Sequence, residues 1–236
     1  MGKKRSDASK GFDDDAMHEP ADAVRLVKSM ATAKFDETVD AVFNLSIDAR
    51  QAEQAVRGTV SLPHGTGKDV RVVVFAEGED ARAAQAAGAD LVGGADLAGS
   101  IESGAQSIDW DVTISHPSLM AEVGKLGKAL GPRGLMPNPK AGTVTTDIGK
   151  TVEEFKSGRV EYRNDRFGNV HVPIGKVSFD QERLVENFAA AVDELNRAKP
   201  ASSKGRYVKK VALSSTMGPG VKIDPNTLDT LKDDKK

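Results

Sequence analysis

The first part of the chain shows two kinds of hydrophobic spacing. After Pro20, apolar residues recur every three or four positions, which is typical of a helix with one buried face. From Val39 to Ile47 every second residue is apolar, which is typical of a half-buried strand. The elements predicted here are a helix over residues 20–34 and strands over 38–47 and 56–62, followed by a Pro- and Gly-containing loop over 63–67.

The pattern changes after this loop. Residues 70–76 form a nearly continuous apolar run, which predicts a strand that is buried on both faces. Helical and strand patterns then alternate, and this order favours right-handed crossovers between parallel strands. The predicted elements are strands over 89–92 and 110–114 and helices over 80–87, 95–103, 117–123 and 148–156.

After Gly158 the hydrophobic spacing of the first part of the chain returns. Strands are predicted over 159–163, 169–173 and 206–213, and an amphipathic helix over 180–199. The predicted fold class is therefore α/β, in which an α+β domain is interrupted by a Rossmann-like, three-layer α/β domain. The predicted domains are a disordered charged arm over 1–18, a discontinuous α+β domain over 19–67 and 159–228, an inserted parallel domain over 68–158 and a charged tail over 229–236.

The two domains share two chain connections. A pair of connections restricts twisting but allows opening, so the boundaries are predicted to act as a hinge. The hinge residues are expected to be Gly65, Gly67, Ser157 and Gly158.

Composition narrows the class of protein. The chain has 236 residues, of which 29% are charged, and no cysteine. Disulfides and thiolate catalysis are therefore excluded, and a reducing cytoplasm is the expected compartment. No apolar run is longer than that of residues 72–76, whereas a membrane-spanning helix needs about 20 such residues. We expect no membrane association.

Charge is divided unevenly along the chain. The net charge of −2 arises from −4 over residues 68–158 and +2 over the segments 1–67 and 159–228 together. The basic excess lies after Gly158. This bias permits binding to RNA, although it is weaker than that of a strongly basic nucleic-acid domain.

The sequence contains no complete catalytic or cofactor-binding motif. Residues 65–68 resemble part of a phosphate-binding loop, but the upstream glycine is missing, Asp69 replaces the Ser or Thr, and a strand follows. The four histidines are not at ligand spacing from one another. We therefore expect no enzyme, no metal and no cofactor. Two alternatives remain open, namely a nucleotide-dependent enzyme built on the inserted domain and a protein-interaction scaffold.

Two loops carry the candidate chemistry. Residues 131–142 contain three glycines and three prolines, and an apolar Leu135-Met136 pair is expected to be exposed there unless it packs or contacts a partner. The cations that make this region a candidate contact for a polyanion are Lys125, Lys128, Arg133 and Lys140.

The second loop covers residues 214–220 and follows a strand. Its three adjacent hydroxyls can contact phosphates and ribose 2′-hydroxyls, and its glycines allow close approach of a ligand. Phe35, beside Lys34 and Thr38, adds an aromatic ring that can stack on a base.

These stretches resemble a known family. Residues 34–39, 57–65, 131–140 and 215–219 are similar to the bacterial family of ribosomal large-subunit protein one, the lateral-stalk proteins beside the tRNA exit site. The resemblance implies a two-domain structural protein that binds large-subunit ribosomal RNA directly, forms the mobile stalk and assists release of deacylated tRNA. Family members also often repress translation of their own operon by binding the messenger leader.

The resemblance also implies where RNA binds. Matching positions give an rRNA and mRNA surface that includes Lys34, Phe35, Thr38, Ser215, Thr216, Met217 and Gly218. Placement in the basic half adds Arg163, His171 and Lys176. The expected partners are large-subunit rRNA, exit-site tRNA and the operon's own messenger leader, in the cytoplasm and without obligate homo-oligomerisation.

Overall fold

A computed structural model describes residues 13, 15–51, 53–203 and 205–228. Most of the predicted charged arm and the predicted charged tail therefore lie outside the described residues. The chain divides into two compact units. Among the described residues, one unit comprises those before Lys68 together with those after Arg159, and the other is Lys68–Arg159. Helices and both parallel and antiparallel strands are present, which confirms the α/β class.

The described residues contain ten strands and seven α-helices. The strands are β1 Met17–His18, β2 Thr38–Leu45, β3 Arg57–Ser61, β4 Val72–Phe75, β5 Leu91–Gly93, β6 Val112–Ser115, β7 Arg159–Arg163, β8 Asn169–Lys176, β9 Val208–Ser215 and β10 Gly220–Ile223. The helices are α1 Pro20–Met30, α2 Gly78–Ala86, α3 Ala95–Glu102, α4 Met120–Lys125, α5 Gly127–Leu130, α6 Ile148–Ser157 and α7 Gln181–Arg197. Two short 3₁₀ helices cover Pro117–Leu119 and Pro139–Ala141.

A five-stranded sheet forms the centre of the first unit. Its strand order is β1-β10-β9-β2-β8, and all neighbours are antiparallel except the parallel pair β1 and β10. Alternate residues of β2 are buried, and they join the side chains of α1 and α7 in one core. The rings of Phe43 and Phe188 stack there with centroids 5.7 Å apart. The other residues of β2 lie on the opposite side of the sheet, which we call the outer face.

The second unit has a three-stranded parallel sheet with the order β5-β4-β6. All four residues of β4 are buried. Val73 and Phe75 pack into a core with α3, α4 and α5, whereas Val72 and Val74 pack into a second core with α2 and α6. Helices therefore cover both faces of the sheet, as the continuous apolar run predicts.

The ends of several secondary-structure elements differ from their predicted positions. Met17 and His18 were expected in the disordered arm, but they pair with Lys222 and Ile223 in the sheet. Strands as short as β1 and β10 carry too little periodicity to be recognised, and their pairing defines them. The first helix ends at Met30 rather than at residue 34, because the chain turns into extended backbone at Ala31.

Candidate nucleic-acid interface

Three strands of the first unit bring distant parts of the chain together at one end of the sheet. Thr38, which begins β2, lies opposite Lys176 at the end of β8. On the other side, Val39 lies opposite Ser215 at the end of β9. The segment that enters β2 and the loop that leaves β9 therefore meet, although about 180 residues separate them in the sequence.

A buried carboxylate joins these two segments. Glu37 is only 1% exposed, and its side chain accepts the backbone N–H of Ala33 and that of Met217, both at 2.9 Å. Burial is the largest influence on the pKa of this carboxyl and raises it. The backbone hydrogen bonds from Met217 and from residues 32–33, together with the nearby Ser215 side chain, outweigh burial, and the pKa stays below its ordinary value of 4.5. Glu37 thus remains ionised and cross-links both segments.

A second network lies beside Glu37. The backbone N–H of Thr38 donates to the Thr216 hydroxyl at 3.0 Å, and the Lys176 ammonium donates to the Thr38 hydroxyl at 2.9 Å. Asp36 accepts the backbone N–H and the hydroxyl of Ser178 at 3.0 and 2.7 Å. The loops are therefore held by the polar groups of their own neighbours, which pre-organises them for a ligand.

The outer surface of these loops is apolar and cationic. Phe35 is 56% exposed and Met217 is 61% exposed, so neither packs into the core. We use the name ridge for the set that the structure brings together here, which comprises Lys34, Phe35, Thr38, Lys176, Ser215, Thr216, Met217 and Gly218.

Not every member of the ridge faces outward. Ser215 is 3% exposed, so its side chain is buried and is not a surface group. A Cβ atom on Gly218 would lie 2.5 Å from the Ser215 hydroxyl oxygen, and only glycine fits this turn without a shift. Thr216 and Met217 are exposed and stand between these two residues.

Two predicted RNA residues lie away from the ridge. His171 is exposed and lies opposite Val42, midway along β8, the strand at one edge of the sheet. Arg163 is exposed at the end of β7, outside the five-stranded sheet. Asp40 also belongs to the outer face, and burial raises the pKa of its carboxyl, against the lowering influence of His171 and Lys176.

The four predicted cations of the second unit are all exposed, but two of them have partners. Lys125 forms an ion pair with Glu122 at 2.6 Å, and Arg133 donates to the Ile108 carbonyl at 2.8 Å. Lys128 and Lys140 are exposed on α5 and on the second 3₁₀ helix.

Leu135 and Met136 pack against the core, which is one of the alternatives to exposure that the sequence left open. Both side chains are half-buried and pack against the core formed with α3, α4 and α5. The backbone N–H of Leu135 donates to the Leu130 carbonyl at 3.0 Å, and this bond folds the loop back over the helix that precedes it.

Three of the predicted hinge residues are left-handed glycines. Gly65, Gly67 and Gly158 have φ angles of 65°, 68° and 118°. The Gly65 carbonyl accepts a hydrogen bond from the buried Asn187 side chain at 2.9 Å, and a Cβ atom on Gly67 would lie 2.8 Å from the Phe179 ring. Ser157 donates its hydroxyl to the Glu154 carbonyl. The hinge stays a prediction.

One arrangement in the second unit resembles catalytic chemistry. The His116 ring lies 2.7 Å from the Ser118 hydroxyl and 3.7 Å from the Asp80 carboxylate. The Ser118 backbone N–H also donates to the same His116 nitrogen, so the imidazole caps a 3₁₀ helix.

Within the described ranges, no group of three or more metal-binding side chains comes together. No helix among the described residues is both long enough and apolar enough to cross a membrane.

The chain matches a known protein family. The family model for the "Ribosomal protein L1p/L10e family" matches residues 27–219. The matched range includes every residue of the ridge, the whole of the second unit and both connections between the units.

Proposed function

The chain belongs to the ribosomal protein L1p/L10e family, and from this premise we propose that its ridge binds rRNA and that the protein forms the mobile lateral stalk. Membership makes it a ribosomal protein that binds rRNA in the large subunit, in the cytoplasm, within a family of structural RNA-binding proteins rather than enzymes. The stalk, release of deacylated tRNA and repression of the operon's own messenger belong to the proposal.

The observation that carries the proposal is the pairing of exposed apolar side chains with anchored polar groups. Phe35 and Met217 stand exposed on loops that Glu37 and Thr38 hold in place. A flat aromatic ring and a thioether suit the face of an unstacked base or a ribose, while the Thr216 hydroxyl suits a 2′-hydroxyl or a phosphate. This combination reads the shape of folded RNA rather than its charge alone.

The finer roles follow from the same arrangement. A messenger leader that reproduces the rRNA shape would occupy the ridge in place of rRNA, so repression needs no second site. Contact with exit-site tRNA is assigned to the second unit, where Lys128 and Lys140 are exposed. We assign no catalytic role to the chain and no obligate homo-oligomer.

Titration of the stalk region of large-subunit rRNA tests this proposal. We expect the full chain to prefer the stalk transcript over a scrambled transcript by on the order of 10³-fold. The ridge contains two lysines, Lys34 and Lys176, so we expect the ridge to contribute about −2 to the slope of log K against log salt. Lys34→Ala should reduce its magnitude by about 1. Equal affinity for both transcripts would overturn the proposal.

A further inference from the structure

A second aromatic side chain stands exposed at the other end of the five-stranded sheet. Phe167 lies in the turn between β7 and β8 and is 67% exposed, more than any other large hydrophobic side chain among the described residues. The turn is well anchored. The Asp165 carboxylate accepts the backbone N–H of Phe167 and that of Asn169, each at 2.8 Å, and the Gly168 carbonyl accepts the N–H of Leu45.

The Phe167 ring is oriented by a cation. The Arg166 guanidinium carbon lies 4.8 Å from the ring centroid, within the range of a cation–π contact. The guanidinium occupies one side of the ring, and the high exposure of the side chain leaves ring surface open to a ligand. An aromatic ring that is fixed in this way loses little conformational freedom when a base stacks on it.

The surroundings of this ring are cationic. Asn44 on β2 lies opposite Asn169 on one side and opposite Lys210 on the other, which places the exposed Lys210 beside the end of the turn. Arg163 is exposed three residues before Arg166. The nearest carboxylate in the turn, that of Asp165, is already committed to three hydrogen bonds. Excess positive charge around a stacking surface favours a nucleic acid over an apolar protein segment.

The position of the turn relates it to the ridge. The ridge lies at the Thr38 end of β2, and the turn lies at the Leu45 end, seven residues along the same strand. This separation is about 23 Å at about 3.3 Å per residue. The exposed His171 lies between them on the outer face.

We propose that Phe167 and Arg166 form a second RNA contact, in which an unpaired base stacks on Phe167 and Arg163, Arg166 and Lys210 contact nearby phosphates. The inference rests on the proposed function, because the same RNA occupies the ridge and runs along the outer face to this turn. It also gives Arg163 and His171, which lie away from the ridge, a place on the RNA path.

Paired changes in protein and RNA test this inference. Phe167→Ala should weaken binding of the full stalk transcript about tenfold, and Phe167→Trp should restore it. Arg166→Ala should weaken binding more than Arg25→Ala, a matched loss of one exposed arginine on α1. With transcripts shortened until they still occupy the ridge but cannot span about 23 Å, the effect of Phe167→Ala should vanish while that of Met217→Ala persists.

The outcomes separate this inference from the proposed function. Failure of the unmodified protein to prefer the stalk transcript would overturn both. Normal preference, with a clear loss in Met217→Ala and none in Phe167→Ala, would overturn the second contact alone. A loss in Phe167→Ala that is equal on full and shortened transcripts would also overturn it, because that result indicates a fold defect.

Discussion

Replacing Glu37 by glutamine is expected to lower both the stability of the first unit and its affinity for RNA. The carboxylate is 1% exposed and accepts N–H groups from both loops of the ridge, and an amide has only one oxygen to offer. Hydrogen bonds to a charged group contribute about 1.5–3 kcal/mol each, so we expect a loss of about 2–3 kcal/mol in the free energy of unfolding at pH 7. RNA affinity should fall as well, because Met217 loses its anchor.

This loss depends on pH in a defined direction. The Glu37 pKa is lower in the folded chain than its ordinary value of 4.5, so ionised Glu37 stabilises the fold above that value. The contribution disappears as the pH falls through the lower, folded-state pKa. Urea unfolding from pH 7 downwards should show the difference between the protein and Glu37→Gln shrinking below about pH 4.5. Glu182→Gln, an exposed substitution on α7, is the control. A difference that is constant with pH would contradict this role.

Phe188→Ala is expected to cause the largest loss of stability. Phe188 is fully buried, and its ring stacks on Phe43 between α7 and the sheet at 5.7 Å between centroids and an interplanar angle of 13°. Removing a buried phenylalanine ring costs about 3–5 kcal/mol through lost burial and the cavity that remains. Arg183→Ala on the exposed side of the same helix should change stability by less than about 0.5 kcal/mol.

The chain provides separate signals for measuring this loss. Both tyrosines, Tyr162 and Tyr207, are buried in the first unit, and the single tryptophan, Trp110, is buried in the second. Near-ultraviolet circular dichroism of tyrosine should show the unfolding midpoint of Phe188→Ala at lower urea, while tryptophan fluorescence reports the state of the second unit. A tyrosine-detected loss below about 1 kcal/mol would contradict the packing described for this core.

Strong periodicity made most of the fold predictable. The alternation in β2, the continuous apolar run of β4 and the amphipathic pattern of α7 each gave an element within a few residues of its observed bounds. The insertion of the second domain between Gly67 and Gly158 was predictable because the spacing of hydrophobic residues changes at these positions. The division of the described chain into two units falls within one residue of these positions.

Features that depend on distant partners were not predictable. β1 and β10 are too short to carry a pattern, and each is a strand only because of its neighbours in the sheet. Leu135 and Met136 lie in a Gly- and Pro-rich loop, whose composition conceals that it folds back onto the core. Glu37 sits among charged and polar residues in the sequence, and only the approach of Met217, 180 residues away, gives it a role.

The ridge was also predictable only in part. Its exposed residues were named from the resemblance to known proteins and from the hydroxyl-rich loop, because these signals are local. The inward position of Ser215 and the support from Glu37 required the strand register. Phe167 gave no signal in the sequence, since an isolated phenylalanine in a turn does not reveal whether its ring is buried.

The central claim is that the exposed part of the ridge binds rRNA, and one titration tests it most directly. Thr216→Val combined with Met217→Ala removes the exposed hydroxyl and the exposed thioether. Titrated against the stalk transcript over a salt series, the double variant should bind on the order of 100-fold more weakly, as expected when two RNA contacts are lost. Its tyrosine signal should remain that of a folded chain. A folded double variant that binds the transcript as tightly as the unmodified protein would show that the RNA lies elsewhere.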